Sequence, residues 1–308
     1  MTAADPAITD RYILFIGLGR MGAPMAARLA AAGCRLCVWD VRQEAVDAFI
    51  KAHPDASSDV TVGGFDVAIL MLPNGIEVRN ALLGKGADGF ASALCLDGIV
   101  LDMGSSAADG TRDLGGELDT RGLRLIDAPV SGGVAKAADG TLAIMAGGSP
   151  ELIEEVKPLL LLMGRKVIHT GPLGSGHAIK ALNNLASATG LIIATEAVLV
   201  GARFGLSPET IIDVLNASTG RNNSTETKFR PFILDRTFDY GFALEIMRKD
   251  LRNAVDLAER TGTYAPMARL CLELWEEASE ALGGGADATA IVQHWEKRTG
   301  SRIDGRPA

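Results

Sequence analysis

The chain has 308 residues, 47% hydrophobic and 22% charged, which excludes a disordered chain and leaves room for one large or two ordinary domains. Lys and Arg number 30 against 38 Asp and Glu, a formal net charge of −8. That balance lacks the basic footprint of a nucleic-acid or anionic-membrane binder, so neither is expected as a partner, although a local pocket can still hold a small anion.

The opening "MTAADPAITD" has no apolar core of a signal peptide and reads as a loose tail. From residue 12 to 170, short apolar runs alternate with helix-like segments. "YILFIG", "RLCVWD", "DVAILMLP", "GIVLDMG", "LRLIDAPV", "LAIMAGG" and "KVIHTG" read as strands. Stretches such as "RMGAPMAARLAAAG" and "SPELIEEVKPLLLLMG" read as helices, the latter with Ser149 at its N-cap and Pro150 at its first position. Such alternation predicts an α/β fold, an N-terminal Rossmann-type doubly wound sheet over residues 11–174.

"ILFIGLGRMG" places Gly17, Gly19 and Gly22 directly after the first strand and at the opening of a helix. That spacing allows a tight turn, close approach of backbone to a pyrophosphate, and close helix–strand packing, with the helix N-terminus facing the phosphates. Asp40 ends the second strand, 23 residues after Gly17, near the separation of roughly 20 seen for the ribose-binding acid of dinucleotide folds. A carboxylate there accepts from ribose hydroxyls and repels a 2′-phosphate, so NAD is expected, with NADP as the alternative because Arg42 can offset the repulsion. Cys34 and Cys37 form a C-x-x-C on a strand, where positions three apart point to opposite faces. Core packing is therefore expected, together with a reducing cytoplasm. No histidine or carboxylate cluster has metal-ligand spacing, so no metal is expected.

After "HTGPLGSG" no further strand is apparent. One long helix is predicted from about Gly176 to Phe204, then helices at "SPETIIDVLNAS", "ALEIMRKDLRNAVDLAER", "APMARLCLELWEEASEAL" and "DATAIVQHWEKR". This predicts an all-α substrate and oligomerisation domain over 175–300. The window "LASATGLIIATEAVLVGA" nears spanning length but holds Glu196 and many small residues, which favours a buried helix over a membrane span. A long helix apolar on nearly every side needs cover, so a homodimer or homotetramer is expected. The same helix carries Lys180 followed by Asn183 and Asn184 at i+3 and i+4. Burying these unpaired would cost several kcal/mol, so they either satisfy one another or face a cavity and do chemistry.

"GLGRMGAPMAARL", "LPN", "LDMGSS", "DAPVSGG", "GTLAIMAGG", "GSGHAIKALNN" and "MRKDL" occur in the order seen in β-hydroxyacid dehydrogenases. Over roughly residues 12–260 the chain resembles this family, which includes 3-hydroxyisobutyrate dehydrogenase and tartronate semialdehyde reductase. The resemblance implies NAD(P)-linked oxidation of a small carboxylate substrate bearing a β-hydroxyl, or reduction of its semialdehyde, with Lys180 as the catalytic lysine. Burial beside a nicotinamide would lower a lysine pKa from about 10.4 towards a range useful for proton transfer.

By the same resemblance Ser131, Gly132 and Gly133 form the turn that takes the substrate carboxylate. Asn184, at i+4 on the helical face of Lys180, is the candidate for orienting the ammonium or holding the substrate oxygen. Gly17, Gly19, Met21, Gly22, Asp40, Leu72, Pro73, Ser105 and Lys249 meet the cofactor, Lys249 across the interdomain cleft. Two departures are visible: Gly104-Ser105 stands where relatives often have serine then threonine, and Glu77 stands where relatives have asparagine. Two rival readings share the fold. One is an imine reductase-like enzyme, disfavoured by Lys180; the other is a non-catalytic dinucleotide sensor. Within "STGRNNSTETKFRPFILDRTFDYGF", Arg221 with Asn222 and Asn223 is the candidate for recognising a second polar group of substrate.

Overall fold

The structure, a computed structural model, describes residues 9–84 and 89–304; the first eight residues, with most of the predicted tail, lie outside them. Contacts divide the chain into two compact units, the first ending at Lys180 and the second beginning at Ala181.

In the first unit, β1 (Tyr12–Ile16), β2 (Arg35–Trp39), β3 (Phe65–Leu70), β4 (Leu94–Asp102) and β5 (Arg124–Asp127) pair in parallel in the order 2-1-3-4-5. Helices α1 (Gly22–Ala31), α2 (Gln43–Ala52), α3 (Gly75–Leu83) and α4 (Ala108–Asp119) connect them. β1 is buried at every position, as a central parallel strand must be. Its alternation sends Ile13 and Phe15 to one apolar layer and Tyr12, Leu14 and Ile16 to the other. Cys34 and Cys37 divide between the same two layers, and burial pushes the Cys37 thiol up to about 11. Both are free, inert packing groups, as their spacing predicts.

Beyond β5 the sheet departs from the simple expectation. "LRLIDAPV" does not run as one strand: β5 stops at Asp127 and a two-residue β6 (Val130–Ser131) resumes after Pro129. Proline offers no amide to a ladder, and at this break the chain leaves β4 and pairs antiparallel with β7 (Leu142–Gly147). Strand β8 (Gly164–Gly171) then runs parallel to β7. Helix α5 (Gly133–Asp139) starts within the glycine turn that the sequence reading treats only as a turn. Helix α6 (Pro150–Leu160) is capped by Ser149, which accepts from the Leu152 amide.

Helix α7 (Ser175–Phe204) runs from the last residues of the first unit into the second. By length and composition it could cross a membrane, but Ala188, Leu191, Ala194 and Val198 pack into an apolar helical core. That core is completed by α8 (Pro208–Ala217), α10 (Leu244–Arg260), α11 (Pro266–Leu282) and α12 (Ile291–Thr299), with Trp275 and Phe229 fully buried. Among the described residues the second unit has no strand, only an isolated bridge between Ala243 and Asp287.

The segment expected to present Arg221, Asn222 and Asn223 to substrate folds differently. Asn222 caps the short helix α9 (Asn223–Thr227), accepting from the Ser224 and Thr225 amides and donating to the Gly190 carbonyl. Arg221 is exposed and faces Glu226 at 3.7 Å. A π-helical turn follows at Phe229–Leu234. The capping role of Asn222 is local chemistry that the sequence reading overlooked.

Candidate active site

The strand order reverses between β1 and β3, and the carboxyl ends of strands at such a reversal form a ligand crevice. Gly17 sits there at φ +98, where an added Cβ would stand 2.5 Å from the Met71 carbonyl oxygen and 3.0 Å from Leu72. At Gly22 an added Cβ would lie 1.8 Å from the Gly17 carbonyl oxygen, so only glycine lets α1 start this close to the turn. A Cβ on Gly19 would meet no atom within 4 Å. The middle glycine therefore borders open space. No side chain caps α1 at Met21, and no acid occupies its first turn, so its N-terminal end suits a phosphate.

Asp40 is drawn to the same turn. Its Oδ2 accepts from the Leu18 amide at 2.7 Å, while Oδ1 accepts from the Arg42 amide at 2.9 Å and from Arg42 Nε at 3.2 Å. Burial works to raise the Asp40 pKa, but these bonds outweigh it and hold the carboxyl below its ordinary range. The glycine turn and an ionised acid held against it thus fit a bound NAD(P).

The turns after β3 and β4 close the same crevice. An added Cβ at Gly104 would stand 2.6 Å from the Leu72 carbonyl oxygen, so "DMGSS" and "LPN" are backbone neighbours, with Ser105 half-buried between Gly104 and Ser106. Ser131 is half-buried, and Gly132 and Gly133 are exposed at φ +142 and +72. A Cβ on Gly133 would meet nothing within 4 Å. This turn is exposed and glycine-lined, open at Gly133 and bordered by the Lys136 side chain at Gly132, so its backbone can be approached by a carboxylate.

Beneath these turns lies a network the sequence reading missed. Asp102 and Asp127 end neighbouring strands in direct register, and His177 in the first turn of α7 is buried between them. The Thr111 hydroxyl lies 3.1 Å from the Ala107 carbonyl and shares a hydrogen bond with His177 Nδ1 at 2.7 Å. His177 Nε2 faces Asp102 Oδ2 at 3.6 Å, and Nδ1 faces Asp127 Oδ2 at 3.8 Å. Asp127 accepts from the Gly174 and His177 amides, both at 2.7 Å, and so caps α7 from another strand. Burial pushes the Asp127 carboxyl up, against the pull of His177 and these amides. Asp102 holds its own turn through the Gly104 amide and the Ser106 hydroxyl. The available signal was two acids at strand ends and a histidine after "GSG".

Lys180 is buried one turn beyond His177, with 8% of its surface exposed. In the second unit Asn184 is also buried; its Nδ2 donates to Asp250 Oδ2 at 2.6 Å and its Oδ1 accepts from Asn183 at 3.2 Å. The amide is thereby locked in one orientation. Lys249 is partly exposed, with Nζ 3.3 Å from Asp250 Oδ1. Asp250 was not foreseen, although it falls on the buried stripe of α10 with Leu244, Met247, Leu251 and Ala254, where an unpaired acid is costly.

The fold and the turn geometry define a class: a dinucleotide-dependent oxidoreductase with a Rossmann-type unit and a helical partner unit. Residues 12–171 match the family model for the NAD binding domain of 6-phosphogluconate dehydrogenase, and 174–295 that for the NAD-binding of NADP-dependent 3-hydroxyisobutyrate dehydrogenase. Among relatives, 2-(hydroxymethyl)glutarate dehydrogenase of Eubacterium barkeri is 32% identical over 94% of this chain and 97% of its own. NAD-dependent L-serine dehydrogenase of Pseudomonas aeruginosa is 36% identical over 86% and 91%. The structure of Mycobacterium tuberculosis 3-hydroxyisobutyrate dehydrogenase with L-serine matches with a TM-score of 0.83 at 30% identity, covering 92% of this chain and 99% of that one. The chain belongs to the β-hydroxyacid dehydrogenase family and is an NAD(P)-dependent dehydrogenase of hydroxy acids.

Proposed function

We propose that the chain interconverts a small β-hydroxy acid and its semialdehyde, with Lys180 Nζ taking the hydroxyl proton as the carbinol carbon is oxidised and returning it in the reverse direction. NAD(P), when bound, supplies the hydride acceptor or donor. One positioned acid–base group then completes the reaction, because no covalent intermediate is needed. The observation that carries this reading is a buried lysine on the helix whose first turn is fixed by Asp127 and His177. The locked amide of Asn184 supports a role in holding the reacting oxygen, and the exposed Ser131-Gly132-Gly133 turn supports one in holding the substrate carboxylate. Gly17, Gly19, Met21, Gly22, Leu72, Pro73, Ser105 and Lys249 are assigned to the cofactor, and Asp40 favours NAD over NADP.

We also infer a cytoplasmic homo-oligomer. Ile193, Val200, Phe204, Leu206 and Val214 are exposed apolar side chains on α7, α8 and the turn between them, a surface suited to a second copy. The test is a screen of the purified protein with NAD and NADP against 3-hydroxyisobutyrate, 2-(hydroxymethyl)glutarate, serine, glycerate, threonate, 4-hydroxybutyrate and sulfonated analogues. The same preparation is sized by light scattering. Turnover of at least one β-hydroxy acid, faster with NAD, in a particle heavier than 32.2 kDa is expected. No turnover with any of them would reject the activity, and a monomer would reject the assembly.

A further inference from the structure

The helical unit holds a second buried lysine. Lys228 follows α9 with 4% of its surface exposed. Its Nζ donates to Ser187 Oγ at 3.1 Å and to Ser224 Oγ at 3.3 Å, and it stands 5.2 Å from the centre of the Tyr240 ring. Among the described residues no carboxylate lies within 4 Å of it. Asp287 acts on it only at longer range. That carboxylate is already taken up by the amides of Gly241, Phe242 and Thr289 and by the Thr289 hydroxyl.

Lysines are almost never buried without a partner, because desolvating an ammonium is costly. Two serine hydroxyls and an aromatic face orient such a charge without neutralising it. Its position along α7 supplies the second observation. Ser187 is three residues beyond Asn184, so both stand on one face of the helix, about 4.5 Å apart along its axis. The charge is thus pinned next to the residue assigned to the reacting end of substrate.

We propose that Lys228, held by Ser187 and Ser224, is a specificity-determining residue that binds a second anionic group on the substrate, making a hydroxylated dicarboxylate the preferred class. This rests on the dehydrogenase reading and extends it. It also replaces Arg221, which is exposed and engaged with Glu226, as the candidate for that group.

A matched pair of substrates tests it. 3-Hydroxyisobutyrate and 2-(hydroxymethyl)glutarate share a hydroxymethyl-bearing carbon next to a carboxylate, and only the second carries a distal carboxylate. The wild type should prefer the dianion. Lys228→Met should raise KM for the dianion about 30-fold or more while leaving kcat, and kcat/KM for the monoanion, within about threefold. Ser187→Ala, a milder change, should weaken the dianion alone and carries the test if Lys228→Met folds poorly.

Burial lowers the Lys228 pKa to about 8. The wild-type KM for the dianion should therefore rise as pH passes about 8, and that rise should be absent in Lys228→Met. Tyr240 and Asp287 are the other titratable groups facing it, and burial raises the Tyr240 pKa above its ordinary value. Equal losses for both substrates, or no dianion preference in the wild type, would overturn the proposal. Failure of the wild type to oxidise either, or any other hydroxy acid, would remove the dehydrogenase reading and this inference with it.

Discussion

The carboxylate of Asp40 holds the Leu18 amide and the Arg42 guanidinium together, so its removal should act on both the glycine turn and the choice of cofactor. Hydrogen bonds to a charged group are worth about 1.5–3 kcal/mol, which sets the scale of the loss. Asp40→Ser is expected to lower kcat/KM for NAD by about tenfold or more. It also frees Arg42 to meet a 2′-phosphate, so the ratio of NAD to NADP efficiency should fall further than either value alone. Steady-state kinetics with both cofactors reads this directly; an unchanged ratio would show that the carboxylate does not govern the choice.

At the level of elements, the decisive join is the docking of α7 onto the ends of β5 and β7. Gly176 makes it possible: an added Cβ would stand 2.3 Å from the Met145 carbonyl oxygen and 2.8 Å from that of Asp127. Both obstacles are backbone, so the helix itself must shift. Overpacking of this kind costs about 1–3 kcal/mol, and displacing a catalytic group by about 1 Å costs on the order of a hundredfold in rate. Gly176→Ala should therefore lower both melting temperature and turnover. Gly110 in α4 is the internal comparison, since a Cβ there meets nothing within 4 Å. Gly110→Ala should be neutral or stabilising by about 0.5–1 kcal/mol. Calorimetry and turnover on the two variants separate the cases, and equal behaviour would dismiss the docking argument.

Across the whole molecule, what was legible in the sequence had local causes. At position 22 glycine is demanded by the Gly17 carbonyl five residues away; at position 17 the obstacle is the distant Met71 carbonyl, and the local spacing of the motif is what made that glycine legible. The apolar runs of β1 and β3 follow from burial on both faces. The break at Pro129 was legible in principle but was masked by apolar neighbours. The pairings of Asn184 with Asp250 and of Lys228 with Ser187 span 66 and 41 residues and depend on which helix faces meet. No periodicity records that, so Lys228 was passed over for the more conspicuous Arg221. The amine of Lys180 carries the proposed proton transfer for the whole molecule. The most direct test is to replace it with alanine, then measure turnover at saturating substrate beside NADH binding on the same sample. Turnover should fall by about 10²–10⁴-fold, NADH affinity should stay close to the wild type, and an added small primary amine should restore part of the rate. Turnover close to wild type with cofactor bound would contradict the account.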